Sequence, residues 1–241
     1  MNTAPKPIPP RERLIFAMDV AGPDQARRLA EQLGDSVVFY KLGLELFMAG
    51  GYFELVDWMV ARGKKVFVDL KFFDVPATVG AAVRQLRDRG VAFATVHGNQ
   101  AIMEAAAAAK GEVKILAVTV LTSLDRGDLD DLGFACDVEK LVLSRARRAF
   151  EAGCDGVISS GLEAPMLRQH VDQRLVVVTP GIRPVENKPV DDQKRTVDVA
   201  QAFANGADYI VVGRPIRDAA DPRAAAEAVQ ATIASIFPQA V

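Results

Sequence analysis

The chain is poor in the residues that build metal, redox and membrane sites. Of its 241 residues only two are cysteine and two are histidine. Cys136 and Cys154 cannot make a disulfide framework, which suits a reducing cytoplasm. Neither has a His or a basic cluster beside it in sequence, so both are expected to be inert thiols. His97 and His170 lie far apart and match no zinc-ligand spacing. No apolar run approaches the ~20 residues of a membrane span, and the N-terminal stretch has no signal-peptide core, so no membrane partner is expected. The 29 Lys+Arg against 31 Asp+Glu leave a formal net charge of −2. That balance removes the electrostatic reason to expect nucleic acid as a partner. A G-x-G-x-x-G turn is also missing: the first strand is followed by DVAGPDQ, which argues against an open dinucleotide-binding sheet.

What the chain does have is a hydrophobic half, enough for a sizeable core. The first ten residues, MNTAPKPIPP, hold four prolines and are expected to form a disordered or extended arm, 1–10. After it, eight short apolar, β-branched runs alternate with amphipathic Ala- and Leu-rich stretches. The runs fall at 14–20, 37–43, 65–71, 93–98, 114–121, 156–161, 176–181 and 209–215, and read as strands buried on both faces. Stretches such as DQARRLAEQL and VEKLVLSRARRAFEA read as helices. A joint recurs in ARGKKVFVDL, DRGVAFATVHG, EAGCDGVISSG and ANGADYIVVGR: a helix ends at Gly, where positive φ is cheap, and a strand follows. Eight such units predict a single (β/α)8 TIM barrel over 11–241, with a doubly wound open sheet as the alternative. Two long stretches, 122–136 after strand 5 and 182–195 after strand 7, follow strand ends on the face where barrels place their sites, and are candidate lids.

The charges sit at those strand ends. Asp19 closes strand 1, Lys41 strand 2, and Asp69 and Lys71 strand 3, the last two sharing a face by the period of 2. Neighbouring parallel strands lie about 4.8 Å apart, so four charges of alternating sign converge on one rim. Charges inside apolar strands are costly unless paired. An ion-pair network that only supports structure is the plain alternative, but three adjacent strands at the catalytic rim favour function. Across the barrel, VVGRPI offers Gly213 for close backbone approach and Arg214 as a fork for phosphate, while the loop after strand 7 adds Arg183, Gln193 and Arg195. Thr122 and Ser123 follow strand 5 and suit either a polar ring or an ordinary turn. His97 is expected to be a hydrogen-bonded structural residue, and Phe47, Met48 and Trp58 to be packing residues.

At DLKFFDVPATV (69–79) the chain resembles the orotidine 5′-phosphate decarboxylase family, whose pattern is D-x-K-x-x-D-[IV]-P-x-T-V. AMD (17–19), YKLG (40–43), VLTS (120–123), TPGIRP (179–184), DDQKR (191–195) and VVGRPI (211–216) follow in order. The resemblance implies cofactor-free and metal-free decarboxylation of orotidine 5′-phosphate to UMP in pyrimidine biosynthesis. It implies that Asp19 binds the ribose hydroxyls, and that Lys41, Asp69, Lys71 and Asp74 form the charge network with Lys71 as proton donor. Thr122 and Ser123 would lie near the pyrimidine. Arg183, Gln193, Gly213 and Arg214 would hold the phosphate and close the lid. It also implies a homodimer in which Asp74 and Thr78 reach the neighbouring subunit's site. From the residues themselves, Asp74 lies beyond the strand end and before Pro76, where it suits either a two-fold partner or a cap on its own helix. Other phosphosugar barrels, such as a pentulose-phosphate epimerase or an Mg²⁺-using hexulose-phosphate synthase, are the enzyme alternative. A catalytically dead phosphate-binding barrel is the non-enzyme one.

Overall fold

A computed structural model describes residues 6–183 and 195–238. All eight expected strands form. They are β1 (Leu14–Ala17), β2 (Phe39–Leu42), β3 (Lys65–Phe72), β4 (Phe93–His97), β5 (Lys114–Val118), β6 (Gly156–Ile158), β7 (Val176–Thr179) and β8 (Tyr209–Val212). Each pairs in parallel with the next, and β8 closes onto β1. The barrel is therefore closed, and the open sheet is excluded. Most strands end two or three residues earlier than the apolar runs suggest, because the backbone leaves the ladder at the C-terminal rim to build loops. The stretch after β5 carries a short helix, Arg126–Asp131, entered through a reciprocal cap between Asp125 and Asp128. Among the described residues no helix is long and apolar enough to cross a membrane.

Side-chain alternation divides the core in two. Inward positions give a compact interior cluster of Ile15, Phe39, Phe67, Phe93, Leu116, Val178, Tyr209 and Val211 with their neighbours. Outward positions such as Phe16, Tyr40, Val68 and Ala94 join the larger layer between strands and helices. Aromatics concentrate in the interior: the Phe93 ring lies 5.0 Å from Phe39, 5.1 Å from Tyr209 and 6.0 Å from Phe67, centroid to centroid. Tilted and edge-on pairs of this kind add to plain area burial.

The helix–Gly–strand joints carry positive φ as expected, at Gly63, Gly90, Gly153 and Gly206. In two of them an aspartate follows by two residues and ties the start of the new strand to the strand before it. Asp155 Oδ2 accepts the Ile115 N–H and the Lys110 ammonium. Asp208 Oδ2 accepts the Val177 N–H, the Arg168 guanidinium and the Lys6 ammonium. Of the expected arm 1–10, residues 6–10 lie against the barrel floor. Lys6 pairs with Asp208, Ile8 packs on the interior cluster, and Pro10 opens a 3-10 turn.

Phe93→Ala removes the ring on which three others lean. It is expected to cost about 3–5 kcal/mol in urea unfolding. A loss within about 0.5 kcal/mol, as at surface positions, would contradict this packing.

Candidate active site

The interior cluster stops one layer below the C-terminal rim, and the charges begin there. Ala17 and Asp19, Phe39 and Lys41, and Phe67 and Asp69 continue the same inward rows, apolar first and ionic above. The result is a chain of alternating sign. Lys41 Nζ lies 3.2 Å from Asp19 Oδ1 and 3.3 Å from Asp69 Oδ2. Lys71 Nζ lies 3.0 Å from Asp69 Oδ1 and 3.1 Å from Oδ2. Thr95 Oγ1 donates to Asp69 Oδ1 at 2.9 Å.

Asp69 is only 7% exposed. Burial alone would raise its pKa, but Lys41 and Lys71, with hydrogen bonds from Lys71 and Thr95, override it and hold the carboxyl below its ordinary value. Burial likewise disfavours the charged Lys41, and Asp69 and Asp19 reverse that, holding it above the ordinary lysine value. The two ammoniums differ in access: the Lys41 side chain is 13% exposed and that of Lys71 33%.

This chain lines one side of a cavity of about 490 Å³ at the mouth of the barrel. Thr122, Ser123, Arg183, Gly213 and Arg214 line it as well. Arg183 and Arg214 follow β7 and β8, across the barrel from β3. At Gly213 a Cβ would meet the Ala17 Cβ at 3.3 Å, so the glycine keeps this wall thin. Gln193 and the greater part of the expected lid, 184–194, lie outside the described residues.

Asp74, Thr78 and Arg195 do not line the cavity. Asp74 is exposed, and its Oδ1 accepts the Val75 N–H at 2.6 Å. The following helix, Pro76–Arg84, has no side-chain cap, so Asp74 does not cap it. Among the described residues Asp74 makes no ion pair, and Thr78 is exposed beside it. Arg195 does not line the cavity: its guanidinium pairs with the buried Glu163 and donates to the Leu121 and Val120 carbonyls. Its turn away from the cavity follows from Glu163, whose buried charge needs a partner. Among the described residues the His97 ring makes no hydrogen bond and instead lies tilted against Phe73, 4.8 Å between centroids. Its pKa is lowered by burial, with Arg145 and Lys71 adding to the effect. Trp58 packs on the core, whereas Phe47 and Met48 are exposed, Met48 by 78%. Arg217 belongs to no motif in the sequence. It lines the cavity and donates to the Asp19 carbonyl at 2.7 Å. Its position one turn beyond Arg214 on a strand-end helix was the available signal.

Among the described residues no group of three or more His, Cys, Asp or Glu is placed to hold a metal ion. Asp19 and Asp69 already share the Lys41 ammonium between them.

Fold and site together define a (β/α)8-barrel enzyme with an ionised cluster and an arginine-lined cavity at its C-terminal rim. Comparison with known proteins narrows the class. Residues 12–229 match the family described as Orotidine 5'-phosphate decarboxylase / HUMPS, and the chain belongs to that family. It is 69% identical to an orotidine 5′-phosphate decarboxylase of Methylococcus capsulatus, over 96% of each chain. It is 54% identical to one from Xanthomonas campestris, over 97% of this chain and 96% of that one. The crystal structure of orotidine 5′-phosphate decarboxylase from Lactobacillus acidophilus superposes with a TM-score of 0.82 at 34% identity, covering 92% of this chain and 99% of the other.

The pH dependence of stability has two limbs. A depressed Asp69 stabilises the fold above its ordinary value of 3.8, and that contribution is lost as pH falls through the lower folded value. A raised Lys41 contributes fully below 10.5, and loses it as pH rises through the higher folded value. The unfolding free-energy difference between wild type and Asp69→Asn is therefore expected to be level across neutral pH and to shrink at both extremes. A difference that grows as pH falls below 3.8 would show that Asp69 is not held ionised.

Proposed function

We propose that this chain decarboxylates orotidine 5′-phosphate to UMP, with Lys71 delivering the proton to C6. The observation that carries this is the Asp19–Lys41–Asp69–Lys71 chain facing an arginine-lined cavity. Loss of CO2 leaves the bonding electron pair on C6, and the pyrimidine offers it no good sink. Preorganised charge and remote binding energy are the tools that this chain's residues supply. As the C6–carboxylate bond breaks, the Lys71 ammonium stabilises the pair and then transfers a proton to C6, and water restores the ammonium. Lys71 suits this better than Lys41, which is enclosed between two carboxylates. Asp69, beside the departing carboxylate, stays ionised and repels it. Thr122 and Ser123 take the pyrimidine edge, Asp19 the ribose hydroxyls, and Arg183, Gln193, Gly213 and Arg214 the phosphate. The reaction is assigned to the cytoplasm, where both cysteines stay thiols. Burial and the neighbouring Asp155 push the Cys154 thiol up to about 12, which keeps it unreactive.

We further propose a homodimer with shared sites, Asp74 and Thr78 acting on the partner's cavity. Around Asp74 the rim carries exposed apolar side chains: Phe73 (68% exposed) and Val75 after β3, and Leu44 and Met48 after the adjacent β2. Such a patch marks an interaction surface.

The decisive assay is the loss of orotidine 5′-phosphate absorbance with a chelator present. Lys71→Ala is expected to abolish turnover while calorimetry still detects UMP binding. Retention of more than a few per cent of kcat, roughly a thirtyfold loss or less, would remove Lys71 as proton donor.

Mixing inactive Lys71→Ala with inactive Asp74→Ala tests the shared site. In a mixed dimer the Asp74→Ala subunit keeps Lys71 and receives an intact Asp74 from its partner. Random exchange is expected to restore about a quarter of all sites. Exchange confirmed by mass spectrometry without any return of activity would confine Asp74 to its own subunit.

A further inference from the structure

We propose that Thr95 is a positioning residue for the Asp69–Lys71 pair, its one hydroxyl fixing the carboxylate and the lysine backbone together; this rests on the decarboxylase function above.

Thr95 lies in β4, on the inward row with Phe93, and is fully buried. Its neighbours on the interior rows below are aromatic or aliphatic, so a hydroxyl here is costly unless satisfied. It is satisfied twice. The oxygen accepts the Lys71 N–H at 3.0 Å and donates its proton to Asp69 Oδ1 at 2.9 Å.

The need for it comes from the strand opposite. Val68 pairs with Ala94 and Phe72 pairs with Val96. Thr95 alone therefore faces three β3 residues, Asp69 to Lys71, where an even ladder would place one. The two extra residues form a bulge, and Lys71 takes φ 48, the one non-glycine with positive φ among the described residues. That conformation is unfavourable for a residue with a Cβ and persists only where the surroundings impose it. The bulge also takes the Lys71 N–H out of the ladder, and the Thr95 hydroxyl receives it. The catalytic ammonium is thus set from two directions: its backbone is held by Thr95, and its Nζ by a carboxylate that Thr95 also holds.

The test compares wild type with Thr95→Val, which matches the shape without the hydroxyl, and Thr95→Ser, which keeps the hydroxyl. Thr95→Val is expected to lower kcat by about tenfold to a hundredfold while KM moves by less than about threefold. Thr95→Ser is expected to stay within about threefold of wild-type kcat. Should Thr95→Val fail to fold, Thr95→Ala is read in the same way. Hydrogen exchange of the Lys71 amide, followed by NMR, is independent of activity. It is expected to be slow in wild type and Thr95→Ser and about tenfold faster in Thr95→Val. Wild-type kcat in Thr95→Val, a loss that serine does not rescue, or unchanged exchange each overturn the proposal. If wild type itself does not turn over orotidine 5′-phosphate, the activity falls, and the exchange result alone decides the clamp.

Discussion

The charged side of the rim is arranged around one buried carboxylate. Asp69 has been taken out of water at the end of β3, and an ionised group there is stable only if cations and hydrogen-bond donors replace the lost solvent. Three elements provide them: Lys41 from β2, Lys71 from β3 itself, and Thr95 from β4. Each donor has its own requirement in turn. Lys41, the more enclosed ammonium, needs a second carboxylate, which is Asp19. Lys71 can turn back onto a carboxylate two residues earlier because the strand bulges between them. Parallel strands spaced about 4.8 Å apart bring these groups within hydrogen-bond reach.

The closed barrel divides the labour by side. β1 to β3 carry the charges, while the loops after β5, β7 and β8 carry hydroxyls, glycine and arginines. Beneath both lies the ring cluster of Phe39, Phe67, Phe93 and Tyr209, which fills the interior and keeps water from the underside of the ionic layer. In such a dry setting fixed charges act more strongly than at a wetted surface. The floor is sealed in the same economical way. Ile8 packs on the interior cluster from below, and Arg13 lies over the Phe237 ring at 3.7 Å, so the segment before β1 meets the last helix at the face opposite the cavity.

Features repeated along the chain were legible in the sequence. Eight apolar runs, glycine-ended joints and polar residues at strand ends each follow a periodic rule, so the closed barrel and the Asp19–Lys41–Asp69–Lys71 row could be anticipated. Features that depend on pairing between distant residues were not. The β3 bulge is hidden because KVFVDLK looks like an even strand, and only its register against β4 reveals two extra residues. Thr95 looked like any strand threonine for the same reason. Arg195 sits among phosphate-binding candidates in sequence, yet Glu163, distant along the chain, claims it. Phe47 and Met48 have core-like chemistry, but lie on a short rim helix, Leu44–Met48, that buries only Leu46. Both therefore stand exposed at the rim, on the surface to which the proposed dimer contact is assigned.

The bulge also reconciles two demands that the proposed mechanism makes on Lys71. Its ammonium has to stay against Asp69 and yet remain open to the cavity and to water. On an even strand a residue two places beyond Asp69 continues the same inward row, one step farther along the strand axis. Two additional residues and a left-handed φ instead fold Lys71 back, so that its Nζ contacts both Asp69 oxygens while a third of the side chain remains accessible. Lys41, on an unbulged strand and gripped by two carboxylates, has no such freedom and serves as a fixed counter-charge. Two chemically identical ammoniums on neighbouring strands thus differ in access, through the bulge at one and the second carboxylate at the other. Local strain at β3 is the structural source of that division.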